Sequence, residues 1–186
     1  SGIQKKEERP ETLEGDRRDK PGKEVNIYGH EEVIKLLKAM LQELLWENQW
    51  NYVNHHIHFI SVKDGETRRV LDRKVTFFDI HSTKDKQFGF CMELENGKKL
   101  TCCGDEPYQP CVRTYVENSE WLLHEAFCLD SQADIFGPYE KHHSTVKDAC
   151  ETAEALGVRK LVLYHTEDRN LSDRKKLYTE EGNRYF

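Results

Sequence analysis

The stretch that most constrains the fold is residues 121–164, where strand, helix and strand patterns follow one another. Residues 121–129, WLLHEAFCL, read as a buried strand. Residues 144–157, STVKDACETAEALG, read as a helix with Ser144 or Thr145 as its N-cap and Gly157 just past its end. Residues 159–164, RKLVLY, form a second buried strand. Strand, helix, strand implies a parallel pair joined by a right-handed crossover, because the twist of the strands packs the helix back only that way.

Upstream, the pattern is different. A short strand, VNIYG, ends at Gly29. It precedes the clearest helix of the chain, where Val33, Leu36, Leu37, Met40, Leu41, Leu44 and Leu45 repeat at helical spacing over residues 31–48. Residues 55–62, 74–80, 88–94 and 99–103 then alternate or cluster as strands, and Asn96-Gly97 marks a hairpin between the last two. The charged tail carries a helix over 171–180. Hairpins followed by a β-α-β unit predict an α/β chain of the layered α+β kind. Residues 1–24 hold balanced charges, two prolines and almost no apolar side chains, which predicts a charged linker or mobile loop ahead of a domain over residues 25–186.

Composition removes several classes of function. The net charge is −6, so no bulk basic field holds nucleic acid, and any phosphate recognition has to be local. No apolar run approaches the 18 residues of a spanning helix, which predicts no membrane partner. Six cysteines lack CxxC spacing and read as reduced thiols of a cytoplasmic protein. Charged residues reach 33% against 37% hydrophobic, thin for a self-sufficient core. The chain opens on Ser1-Gly2 rather than Met.

The chemistry gathers where strands end. Residues 74–80 lead into His81, residues 99–103 into Asp105, and residues 159–164 into His165. Sites in α/β sheets form just beyond the carboxyl ends of strands. Two imidazoles and one carboxylate suit zinc, manganese or iron; any one of the three alone could be a capping residue. Glu125, inside an apolar strand, needs a partner or a raised pKa. His142 and His143 stand just before a helix N-terminus, and a Glu125–His143 pair beside a metal makes a proton donor for a leaving group; the plain alternative is a structural acceptor and a helix-entry residue. His56 and His58 would share a face if residues 55–62 are all strand, yet no third ligand lies near them in sequence. His30 and His124 read as structural.

Five motifs in order, FDIHSTKDKQFGF, CCGDEP, LLHEAF, HHST and LVLYHTEDR, resemble the metallo-β-lactamase-fold hydrolases, and within them the ribonuclease Z-like branch. The resemblance runs from about Val25 to Arg169. It implies an αββα sandwich with two divalent metal ions at the sheet edges, zinc first and manganese or iron as alternatives. His81, Asp105 and His165 match metal ligands of that family, with Asp105 in the bridging position. Glu125 and His143 match the pair that assists leaving-group departure in this branch.

Two departures qualify what the resemblance implies. The family's HxHxDH signature is absent, so the chain reads as the C-terminal part of the fold. Its missing half, or a second protomer, would then cover an inner sheet face over residues 74–80 and 99–103. The long tRNA-binding arm between the His and Asp ligands is also absent, since only a short hairpin separates His81 from Asp105. The expected function is therefore a metal-dependent hydrolase that cleaves a phosphodiester-like or small ester substrate through metal-activated water and is inactive as this chain alone. Nucleic acid is not the favoured substrate. The alternatives are a binding or scaffold protein that kept the fold without the metal centre, and a tRNA 3′-end endonuclease.

Overall fold

A computed structural model of the chain describes residues 24–186. The linker expected over residues 1–24 lies, apart from its last residue, outside the described residues.

Strand β1 (Val25–Gly29) leads into helix α1 (Glu31–Leu44) and helix α2 (Glu47–His56), followed by strand β2 (Ile57–Ser61). β1 and β2 pair in parallel as a two-stranded sheet. The remaining strands are β3 (Thr67–Val70), β4 (Arg73–Asp79), β5 (Phe88–Glu93), β6 (Lys99–Cys102), β7 (Trp121–Glu125) and β8 (Leu161–Tyr164), and they form one six-stranded sheet in that order. Pairing is antiparallel from β3 to β6 and parallel from β6 to β8. Short helices α3 (Arg113–Val116) and α4 (Ala133–Phe136) precede α5 (Val146–Ala155), which makes the crossover from β7 to β8, and α6 (Arg174–Gly182) closes the chain.

The layering follows from alternation along β4. Phe78 and Ile80 point to one face and are buried with Leu122, Val112, Val116, Ala153 and Leu156, under α3 and α5. Val75 and Phe77 point to the other and pack with Val62, Tyr28 and Ile60, under β1 and β2. The rings of Tyr28 and Phe77 stack at 5.5 Å. With α1 and α2 packed on β1 and β2, the order of layers is α, β, β, α. Both faces of β4 thus carry packing partners among the described residues, while three of the four residues of β6 are only half-buried. The exposed apolar side chains gather on α1 instead: Leu36, Met40 and Leu44 are 60%, 50% and 72% exposed. Between β4 and β6, β5 passes so closely that a Cβ on Gly89 would lie 2.6 Å from the Cys102 carbonyl and 2.7 Å from the Phe78 ring.

Several elements differ from the pattern-based expectation, each for a local reason. The helix expected over 31–48 stops at Leu45, whose backbone is extended, and a new helix begins after Trp46, where the Gln49 side chain accepts from the Trp46 N–H at 3.1 Å. That restart carries His55 and His56 into α2, so the expected face shared by His56 and His58 does not form. β3 was hidden because its hairpin turns on Leu71 and Asp72, both at positive φ, without the glycine that signals such turns. β7 ends at Glu125 rather than running to 129, because the backbone beyond it bonds to the α5 entry, with Phe127 N–H donating to Ser144 O and Val146 N–H to Cys128 O.

Candidate metal centre

The parallel half of the sheet ends in one cluster. Beyond β6 the chain turns through Gly104, at φ +72°, where a Cβ would press on Ile80 at 3.1 Å. The next residue, Asp105, then faces the end of β8, where His165 stands at φ 53°. His142 occupies the same left-handed region, at φ 58°, and delivers His143 from the α5 entry. Left-handed backbone at a non-glycine residue is uncommon and costs of order 1 kcal/mol or more.

Asp105, His143 and His165 each offer one ligand atom, and these atoms lie within 4.8 Å of one another; it is the one such group of three among the described residues. His165 Nε2 is 3.0 Å and His143 Nδ1 3.7 Å from Asp105 Oδ1. A tetrahedral zinc site with bonds of about 2.0–2.1 Å separates its ligand atoms by about 3.3 Å, so these spacings fit a cation. Asp105 Oδ1, His143 Nδ1 and Glu125 Oε2 are also buried without a hydrogen-bond partner. Buried polar atoms are ordinarily paired. Asp105 Oδ1 beside His165 Nε2 is an atom that a cation would satisfy, whereas His143 Nδ1 also faces Glu125 Oε2 at 3.4 Å.

Glu125 supports the cluster from below. It is fully buried at the end of β7. Its Oε1 accepts from the Ser144 N–H and hydroxyl, both at 2.6 Å, and its Oε2 lies 3.4 Å from His143 Nδ1. Burial pushes its carboxyl up to about 7 despite the two Ser144 bonds. His143 stacks on Phe127 at 5.1 Å and lies 4.9 Å from the His165 ring. Burial, and then the charge of Lys84, hold its imidazole below the usual histidine range.

Of the expected site residues, Asp105, His165, His143 and Glu125 are brought together. His143, expected beside the metal without touching it, supplies one of the three clustered ligand atoms. His81 follows β4 at φ 54°, exposed and outside the cluster. His124 is structural, as read: buried, it bonds the Glu125 carbonyl through Nδ1 and accepts from the Tyr108 N–H through Nε2. Two contributors escaped the sequence reading. Of the two N-cap candidates, Ser144 and Thr145, Thr145 takes the role, and Ser144 instead holds Glu125. Lys84 reaches the cluster from the loop after β4, and a lone lysine in a charged loop carries no signal.

A sequence profile of the Beta-lactamase superfamily domain matches residues 12–166. Ribonuclease Z of Exiguobacterium sibiricum is 33% identical over 122 residues, which make up 65% of this chain and 39% of that protein. The chain thus spans about two fifths of this relative's length. Among solved structures, the metallo-beta-lactamase fold protein YhfI from Bacillus subtilis aligns with a TM-score of 0.59 at 20% identity, over 87% of this chain and 58% of that one. Zn(2+)-bound PqqB from Methylobacterium extorquens aligns with a TM-score of 0.63 at 11% identity, over 87% and 62%. These two share the fold. With the profile covering most of its length and the strand-end cluster where such sheets place their sites, the chain belongs to the beta-lactamase superfamily and has the metallo-β-lactamase fold.

Proposed function

We propose that the protein is a metal-dependent hydrolase that cleaves a phosphodiester-like or other small ester bond, with Asp105 and His165 holding a divalent cation and His143 donating a proton to the leaving oxygen. The observation that carries this reading is Asp105 Oδ1, buried without a hydrogen-bond partner 3.0 Å from His165 Nε2, with His143 beside the pair. A nitrogen and oxygen donor set of this kind suits zinc, with manganese or iron as alternatives. A cation held by Asp105 and His165 would supply Lewis acidity, lowering the pKa of water toward neutrality.

The chain's own residues do the rest. Glu125 Oε2 sits 3.4 Å from His143 Nδ1 and orients the ring, and its carboxyl, pushed up to about 7, can exchange a proton with that ring near neutral pH. Ser144 fixes the carboxyl through two bonds, so the imidazole keeps one orientation. Phe127 covers one ring face and excludes water from it. A second cation would need ligands beyond this group of three, and His81, which the family resemblance nominates, stands outside it. Six unpaired cysteines suit a reducing, cytoplasmic setting, and no described helix is long and apolar enough to cross a membrane.

RNA is a second reading of the same chemistry, supported by the ribonuclease Z relative. The test combines metal content with hydrolysis of a chromogenic phosphodiester. Asp105→Ala is expected to lose both metal and turnover. His143→Ala is expected to keep the metal and lose about 10²–10⁴-fold in turnover. Loss of metal in His143→Ala would make that residue a ligand and end the proton-donor assignment. A wild-type protein that takes up no divalent metal would end the whole reading.

A further inference from the structure

We infer that Lys84 is a built-in cation of this site, holding Asp105 and His143 when no metal is bound and giving way when a metal binds. The inference rests on the metal reading above and concerns a residue that reading does not use.

Lys84 Nζ lies 3.2 Å from His143 Nε2, 3.3 Å from the Asp105 carbonyl oxygen and 3.9 Å from Asp105 Oδ2. A lysine near a surface ordinarily lays its stem on the protein and sends its charge to water. Here the ammonium turns inward, and the side chain is only 28% exposed. The loop that carries it is tied down. Glu106, almost fully buried, accepts from the Ser82 hydroxyl at 2.9 Å, the Thr83 N–H at 2.7 Å and the Thr83 hydroxyl at 2.9 Å. Lys84 N–H in turn donates to Ser82 Oγ at 3.1 Å. The lysine is therefore delivered to the cluster by a fixed turn.

What it meets there explains the placement. Asp105, Glu106 and the buried Glu125 put three carboxyl groups around one end of the sheet. A positive charge among them offsets their mutual repulsion. His143 Nε2 can accept from the ammonium only as the neutral Nδ1–H form, which aims its remaining proton toward Glu125 Oε2 and Asp105 Oδ1. The ammonium thus sets the tautomer of His143 as well as the local charge. A divalent cation bound to Asp105 and His165 would stand within a few ångströms of the same ammonium. Like charges that close repel strongly at the modest effective dielectric of a half-buried site. The two cations meet at the same carboxylate, the ammonium near Asp105 Oδ2 and the metal near Oδ1, and compete there through their charge.

Competition of this kind is read from metal affinity, without any substrate. Metal-free wild-type protein, Lys84→Met, Lys84→Gln and Lys84→Arg would be titrated with Zn²⁺ against a fluorescent chelator at one fixed pH and ionic strength. Both neutral variants are expected to bind zinc at least about tenfold more tightly than wild type, which is about 1.4 kcal/mol, while Lys84→Arg stays close to wild type. Equal affinity in wild type and the neutral variants overturns the inference and leaves the metal reading standing, as does weaker binding in the neutral variants. No zinc binding in any of the four proteins overturns both.

Discussion

Helices α1 and α5 are both amphipathic, and the structure treats them oppositely. α5 buries Val146, Ala149, Cys150 and Ala153 against the parallel half of the sheet. α1 buries Ile34 alone, while Leu36, Met40 and Leu44 face outward. The periodicity of apolar residues is at least as clear in α1. Periodicity therefore reports that a helix has an apolar side and leaves open what lies against it. The difference tracks chemistry. α5 enters the fold at Thr145, directly after the residues that build the cluster, so its packing sets the position of His143 and Ser144. α1 touches the smaller sheet and none of the clustered residues.

The strongest way to break the contrast is at the base of α5. Leu122→Ala empties a fully buried position between β7 and the helices and is expected to cost about 2–5 kcal/mol. Urea unfolding followed by circular dichroism measures it. A loss under 1 kcal/mol would mean that the parallel half is no better packed than the α1 side.

The next effect sharpens the contrast through charge, because the parallel half also buries Glu125. In the metal-free protein its folded pKa of about 7 stands above the 4.5 of an unperturbed carboxyl. Between those values the folded state keeps a proton that the unfolded chain has released. Stability is therefore expected to fall as pH rises from about 4.5 to about 7, by at most about 3 kcal/mol. Glu125→Gln should flatten that slope in thermal melts recorded across the window. A wild-type slope of the opposite sign would refute the assignment. The smallest effect belongs to the other helix. Leu36→Ala should change the stability of this chain by less than about 0.5 kcal/mol, and a loss comparable to that of Leu122→Ala would erase the contrast.

Legibility in the sequence followed the same division. Strand-helix-strand order, the Asn96-Gly97 turn and the β-branched and aromatic run over residues 74–80 are local signals, and they led to the layered architecture. Asp105 and His165 stood out in the sequence because each lies just beyond an apolar strand. The Glu125–His143 pair was readable because a carboxyl in LLHEAF demands a partner. What stayed hidden depends on contacts remote in sequence or on unmarked backbone. The break at Leu45 is made by one glutamine side chain. The β3–β4 turn uses Leu71 and Asp72 where glycine is the usual sign. Lys84 meets His143 at a sequence separation of 59, a distance that no spacing rule spans.

His165 holds its place in a backbone conformation that asparagine or glycine would adopt with less strain. The sheet and its loops must therefore keep an imidazole where the local chain resists one. Two pressures then act on a single position in opposite senses: what relaxes the turn removes the ligand, and what keeps the ligand keeps the turn under tension. At that residue a relaxed backbone and the imidazole are competing properties, and selection for endurance alone would favour asparagine or glycine there.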